Sequence, residues 1–309
     1  MFRNVRFFRL GSPWPESEQL LSEKLAGAAF RPCGAYSEHS FGWESPTGEP
    51  DGLLGRRVDG ADLVRLRTQS RLLPAGAIDD ALELRLEAYQ QRMQVEPTRR
   101  ERRKLKEQTR DELLPKAFVK SQRTAGFVIA SERLLAVDTL SDARTELFLE
   151  QLRAPLGTLD VSPLSFQRSV SDLLMRIFMG DAPRGFALGR ECRMCDPSDT
   201  KATIRCADID LADPAVRKHV REGMHLTHLG VEFGNVLSCT IDQNAGISKL
   251  KLVGTDVRDD LPDEEPLARL DAEFALLTGT LRQLLTALKQ ALGGYDEERT
   301  PLEPMALSA

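Results

Sequence analysis

The stretch ADIDLAD, residues 207–213, places carboxylates at Asp208, Asp210 and Asp213. Acidic residues at this density can hold Mg²⁺ beside a phosphate and assist phosphodiester hydrolysis. The competing reading is a strand end followed by an N-cap at Asp213 for a helix starting at Pro214, a position that favours proline. CRMC supplies Cys192 and Cys195, and Cys206 with His219 or His225 could complete a zinc site. Structural zinc sites normally show two CxxC pairs, or Cys and His pairs at finger spacing, so free thiols are the simpler reading. In HLTH, His225 and His228 fall within an expected strand, where positions i and i+3 point to opposite faces and cannot readily share a metal. The sequence contains no Gly-rich phosphate loop with its lysine, no nucleophile elbow and no metalloprotease helix. No catalytic residue, metal or cofactor is therefore expected.

The densest charge run is TRRERRKLKEQTRDELLPKAF, residues 98–118. Six of the eight residues over 99–106 are basic, although the chain carries a formal charge of −5. On a helix advancing about 100° per residue, Arg103, Lys106 and Arg110 fall within roughly 40° of Arg99, and Arg102 lies about 60° to one side. Five cations thus form one stripe roughly 16 Å long. The plain alternative is a solvated helix whose charges pair at i,i+4, as Arg103 and Glu107 can. Two further segments present cations in rows. Arg65, Arg67 and Arg71 share a strand face with Gln69, and SKLKL puts Lys249 and Lys251 on one face of another strand. Several separate elements bearing cations suit a surface that follows a phosphate backbone. Without a recognition-helix or zinc-finger motif, such binding should be insensitive to base sequence.

Positioning these residues requires a sizeable core, which 309 residues with 41% apolar and 29% charged composition can supply. No apolar run is long enough to span a bilayer, and the first residues, MFRNVRFFRLGSPWP, lack the apolar core and cleavage site of a signal peptide. Five cysteines fit reduced thiols better than a disulfide framework, so a cytoplasmic protein without a membrane partner is expected.

Periodicity predicts a strand over 5–10, a helix over 17–25, a turn-rich stretch over 31–60 and a strand over 62–73. A helix starts at Ala77, Pro97 breaks it, and a second helix over 98–114 is stopped by Pro115. Strands follow at 126–131 and 133–139, then helices from Ser141 to near Leu152 and over 166–179. The last third predicts strands at 202–206, 225–233, 236–241 and 247–253, with helices over 214–222 and 266–292. Strands and helices mix without a βαβ rhythm, so the expected class is α+β with mixed sheets. The expected organisation is an N-terminal α+β part (1–75), a charged helical extension (76–118), a central and C-terminal α+β part (119–294) and a flexible tail (295–309).

In the last helix, Leu267, Leu270, Phe274, Leu277, Leu281, Leu284 and Leu288 step alternately by three and four, with Leu276, Leu285 and Leu292 widening the seam. The seam either packs on its own sheet or meets another helix across a dimer, where Gly279 would permit close approach. A scaffold acting through this seam is one functional alternative, and a Mg²⁺-dependent nuclease using Asp208, Asp210 and Asp213 is another.

Several stretches in order resemble the bacterial recombination-associated protein RdgC family. They are AFRPCG (29–34), GW (42–43), LLP with AF (113–118), APRGF (182–186), DL (210–211) followed by HVREG (219–223), and RLDAEFALLTGTL (269–281). The likeness runs from the first strand to Gly294. It implies a non-enzymatic, nucleoid-associated protein that binds double-stranded DNA with little sequence preference. In that family two horseshoe-shaped subunits close a homodimeric ring around the duplex and restrain RecA-promoted strand exchange, by direct contact with RecA or by competition for DNA. The resemblance further implies that Phe118 closes the dimer contact, that Lys116 beside it handles DNA, and that Arg67, Arg71, Lys249 and Lys251 occupy basic positions of the pattern. One segment departs: Ala207, Asp208 and Ile209 stand where the family pattern has basic and amide residues, and the family pattern does not include Cys192 and Cys195.

Overall fold

A computed structural model describes residues 2–199, 201–253 and 265–296. The tail expected over 295–309 lies outside the described residues beyond Asp296. The first sheet is built from β1 (Arg6–Leu10), β2 (His39–Glu44), β3 (Gly55–Val58), β4 (Ala61–Leu72), β5 (Phe118–Ile129), β6 (Leu134–Val137) and β7 (Val161–Pro163). Along this stretch run the helices α1 (Glu18–Ala26), α2 (Ala75–Met93), α3 (Arg99–Leu113) and α4 (Asp142–Leu156). After α5 (Val170–Met179), a second sheet is formed by β8 (Phe186–Cys195), β9 (Thr203–Cys206), β10 (His225–Phe233), β11 (Leu237–Asp242) and β12 (Ile247–Leu252). The helix α6 (Pro214–Arg221) separates β9 from β10, and α7 (Pro266–Ala291) follows β12.

The seven-stranded sheet runs β2-β4-β5-β6-β1-β7 with β3 on the same edge of β4 as β2; the five-stranded sheet runs β12-β11-β10-β8-β9. The strand pairs in both are antiparallel. The class is α+β, as the sequence predicts. Residues ahead of β1 stitch the sheets together: Val5 and Ile247 exchange backbone hydrogen bonds of 2.8 and 2.9 Å. The first sheet takes strands from both sides of the α2–α3 hairpin, which is inserted between β4 and β5.

Strand alternation splits the core in two. On one face of the first sheet, Phe8, Val64, Leu66, Val128 and Val137 pack with Trp43 against Leu21 and Leu25 of α1 and Phe148 and Leu152 of α4. On the other, Phe7, Leu63, Phe127 and Ala136 share a larger cluster with α5, α7 and the inner face of the second sheet. Phe127 is the pivot. It is fully buried, and its ring meets Phe2 and Phe274 edge-on at 5.5 and 5.9 Å.

Of three sequence readings, one open alternative is decided and two change. The leucine seam of α7 packs on its own chain: Phe274, Leu277, Leu281, Leu284 and Leu288 are each buried in that cluster, while Leu276 is 42% exposed. A Cβ at Gly279 would meet nothing within 4 Å, so the residue marks no helix–helix contact among the described residues. Second, β5 begins eight residues earlier than the apolar pattern indicates, because pairing with β4 rather than side-chain burial holds its first half extended. Third, β2 and β3 occupy a stretch read as turn-rich, where apolar residues are too sparse to betray a period, and β8 falls where no element is predicted.

Phe127→Ala should lower unfolding free energy by about 3–5 kcal/mol, the usual cost of a cavity of this size. Urea denaturation reads this as a fall in the transition midpoint. A loss under 1 kcal/mol would contradict a pivot role for this ring.

Candidate nucleic-acid interface

The charged stretch folds as α3, paired with α2 in an antiparallel hairpin. Its start is fixed by a capping box: the Glu101 backbone N–H donates to the Thr98 hydroxyl, and the Glu101 carboxylate accepts from the Thr98 backbone. The Thr98 and Tyr89 hydroxyls also donate to that carboxylate, at 2.6 and 2.7 Å. These bonds pull Glu101 down to a pKa of about 2, with the Thr98 hydroxyl contributing most. Arg85 pairs with Glu112 and Lys106 with Asp79 across the two helices. The apolar seam is thin. Leu82, Thr109 and Leu114 are the buried residues of the segment, and Leu84, Met93 and Val95 stay exposed.

The stripe of Arg99, Arg102, Arg103, Lys106 and Arg110 is exposed along its length. Arg103 reaches Glu107 at 3.1 Å, Lys106 reaches Asp79 at 2.7 Å and Arg110 reaches Glu38 at 2.5 Å. Such solvated pairs are worth roughly 0–1 kcal/mol, so a polyanion can displace the carboxylates at little cost. Among the described residues, Arg99, Arg100, Arg102 and Lys104 have no carboxylate within ion-pair distance, and all four are exposed.

The row on β4 behaves differently. Arg65 is half-buried, and burial pushes its guanidinium below the ordinary range, with Glu44 opposing and Arg123 reinforcing the shift. Arg67 lies over the Phe30 ring at 4.5 Å and pairs with Glu44 at 3.5 Å. Arg71 donates to the carbonyls of Gly34, Leu114, Pro115 and Ala117 at 3.1–3.2 Å, and to Cys33 at 3.5 Å. Arg71 therefore clasps the turn that delivers Lys116 and Phe118. Its donors are committed to protein carbonyls, which leaves little of the guanidinium for a phosphate.

That turn ends in the most exposed aromatic of the described chain's large apolar residues. Phe118 is 85% exposed and stands opposite Leu72, itself 49% exposed; the neighbouring Val119 is 42% exposed. Lys116 is exposed in the short turn Leu114–Lys116. Leu72 and Val119 escaped the sequence reading because FVKSQRTA (118–125) shows no apolar alternation; the β4–β5 register was the missing signal.

Lys249 and Lys251 lie on the second sheet, away from the hairpin. Lys249 has a left-handed backbone (φ 52°) at a bulge in the β11–β12 ladder and pairs with Glu191, which also accepts from Thr240. Lys251, opposite Ser238, is exposed and has no carboxylate partner among the described residues.

The acidic and thiol candidates disperse. Asp208 pairs with Arg190 at 2.8 Å, Asp210 accepts from the Ala212 N–H, and Asp213 N-caps α6 through the Ala215 N–H. Cys192 is buried opposite Cys206, and Cys195 falls on the other face of β8. Burial, followed by the Cys206 thiol, pushes Cys192 up to about 12. Among the described residues no three His, Cys, Asp or Glu converge as metal ligands. No helix among them is long and apolar enough to cross a membrane.

Residues 1–295 match the family model described as "Putative exonuclease, RdgC". The chain belongs to the RdgC family. It is 29% identical over 300 residues to the recombination-associated protein RdgC of Aeromonas hydrophila subsp. hydrophila, covering 96% of this chain and 99% of that one. The protein of the same name from Shewanella oneidensis is 29% identical, with 96% and 98% covered. That of Pseudoalteromonas atlantica is 28% identical over 282 residues, covering 91% and 93%. A match of this extent places both sheets and the inserted hairpin within the RdgC family pattern.

Arg71→Met keeps the apolar stem and removes every donor to those carbonyls. It should cost about 2 kcal/mol of stability, since bonds to charged groups contribute roughly 1.5–3 kcal/mol. Amide exchange at 114–119 should accelerate selectively. Unchanged exchange there would show that the clasp does not hold the turn.

Proposed function

We propose that this protein binds double-stranded DNA without sequence preference, as a cytoplasmic, nucleoid-associated homodimer that closes around the duplex. By occupying DNA, it restrains RecA-promoted strand exchange and so modulates recombination. The observation that carries the reading is the α2–α3 hairpin. It presents Arg99, Arg100, Arg102, Arg103, Lys104, Lys106 and Arg110 to solvent and ends in an exposed Lys116 and Phe118. Cations with solvated or absent partners favour phosphate, because neutralising a phosphate releases condensed counterions. The recombination-associated name of the relatives supports the same direction.

Phe118 with Leu72 and Val119 is read as the self-association anchor. An aromatic this exposed at the end of a strand pair suits insertion into a pocket of a second copy. The protein is read as a non-enzyme. The family description includes the word exonuclease, but the three aspartates that could hold a metal are engaged with Arg190 and with backbone N–H groups instead.

Two measurements test the reading. Duplex affinity should fall steeply with salt, by roughly 0.9 log units per phosphate contact per decade of salt. Reversing charge at Arg99, Arg103 and Lys106 together should flatten that slope by about 2–3 units and weaken all base sequences alike. A flat salt response in the unaltered protein, or full affinity in the triple variant, would refute the electrostatic reading. Separately, Phe118→Ala should convert the dimer to monomer in sedimentation without lowering the melting temperature. An unchanged dimer would remove Phe118 from the contact.

A further inference from the structure

Four side chains on the outward face of the second sheet line up across adjacent strands. Arg205 on β9 stands opposite Arg193 on β8, Arg193 stands opposite His228 on β10, and Asp242 on β11 continues the row. Their strand neighbours Cys192, Met194, Leu229 and Ile241 are buried in the core, so alternation turns the row away from it. Arg205 is exposed, and Arg193 and His228 are half-buried.

Like charges directly opposite each other disfavour strand pairing, yet two arginines occupy such a pair. The adjacent cations Arg190 and Lys249 are matched by Asp208 and Glu191. Among the described residues, Arg193 and Arg205 have no carboxylate within ion-pair distance. The carboxylate of Asp242, at the end of the row, is engaged by the N–H groups of Asn244 and Gly246 at 2.7 and 2.9 Å, holding the β11–β12 turn.

The proton inventory of His228 follows from its neighbour. The Thr227 hydroxyl donates its only proton to the Arg193 carbonyl at 3.0 Å, so it accepts from His228 Nδ1–H, also at 3.0 Å. Nε2 is left as the titrating nitrogen. Burial holds this imidazole below its ordinary value, and Arg193 and Arg205 push the same way against Asp242.

We propose that Arg193, Arg205 and His228 form a phosphate-binding row that takes the phosphodiester backbone of duplex DNA. This rests on the DNA-binding reading and adds a second contact surface, on a sheet face remote in sequence from the helical stripe, together with a pH response. A bound phosphate screens the Arg193–Arg205 repulsion and favours a proton on Nε2. The groups facing that nitrogen's ring are Arg193 from β8, Arg205 from β9 and Asp242 from β11, besides Thr227 of its own strand. Phosphate raises the imidazole's pKa, so binding takes up a proton. Affinity is then gained as pH falls through the bound-state value and levels off below the free-state value.

The test is duplex binding by fluorescence anisotropy across a salt series at several pH values from about 5 to 8, a range extended on the acid side because the free imidazole lies below its ordinary value. The paired change Arg193→Gln with Arg205→Gln should lower the log–log salt slope by about 1–2 units and weaken binding about tenfold or more at moderate salt. His228→Asn retains a donor at the Nδ1 position and loses the titrating nitrogen. It should abolish the extra affinity gained toward acid pH while leaving binding at pH 8 within about twofold. Melting curves like those of the unaltered protein establish that the variants fold. Folded variants with the original slope, affinity and pH profile would overturn the phosphate row, even if charge reversal on α3 weakens binding. If the unaltered protein has no duplex affinity, the row and the DNA-binding reading fall together.

Discussion

The ladder between β4 and β5, registered from Asp62 with Val128 to Leu72 with Phe118, links the interior of this protein to its exposed cation-rich end. One end lies in the core, where Leu63 pairs with Phe127. The other runs out into solvent as a ribbon whose residues Phe118–Arg123 are all exposed. β2 flanks β4 from Arg65 to Ser70 and the Arg71 N–H donates to the Glu38 carbonyl, so only the tip, Leu72 opposite Phe118, is two-stranded. A two-stranded end is marginal by itself, and this tip depends on the anchored part. It also depends on Arg71, which ties the ribbon to the turn leaving α3. The same ladder closes the α2–α3 hairpin, whose thin apolar seam would not position it alone. Stability generated around Phe127 and Phe274 is thereby transmitted to a cation-rich helix and an exposed aromatic that contribute little to folding.

Charge is distributed to match. The chain as a whole carries −5, yet its cations are divided by role. Arg65, Arg67 and Arg71 are half-buried and committed to Glu44, the Phe30 ring and backbone carbonyls. The α3 cations remain exposed with solvated partners or none. Arg193 and Arg205 oppose each other on the far sheet without any carboxylate among the described residues. Identical side chains serve construction in one place and stay without buried acceptors in the others. Desolvation separates the two uses, since a buried guanidinium must find its acceptors within the fold.

How much of this was legible in the sequence depends on where the period was strong. β4, β10, β11 and β12 alternate clearly, and the helix boundaries at Ser17, Thr98 and Pro214 carry explicit caps. The outer half of β5 was invisible because FVKSQRTA holds its shape through the ladder and not through burial. The role of Arg71 was equally hidden: its acceptors come from residues 33–34 and 114–117, which only the fold brings together. The α7 seam was legible as a period, but which surface covers it required the structure. CRMC reads as free thiols from its spacing alone, and β8 adds that the two thiols lie on opposite faces. For the candidate interface, the stripe and Phe118 were readable locally. The Arg193–Arg205–His228 row exists only through the register of three strands.

Holding duplex DNA inside a closed dimer by non-specific electrostatic contacts, as proposed, makes release depend on a free DNA end. The most direct measurement compares the lifetime of complexes on covalently closed circular DNA and on the same molecule after a single double-strand cut, under a raised-salt challenge. Complexes should persist on the circle and be lost from the ends once it is cut. Equal lifetimes on both forms would contradict the closed dimer.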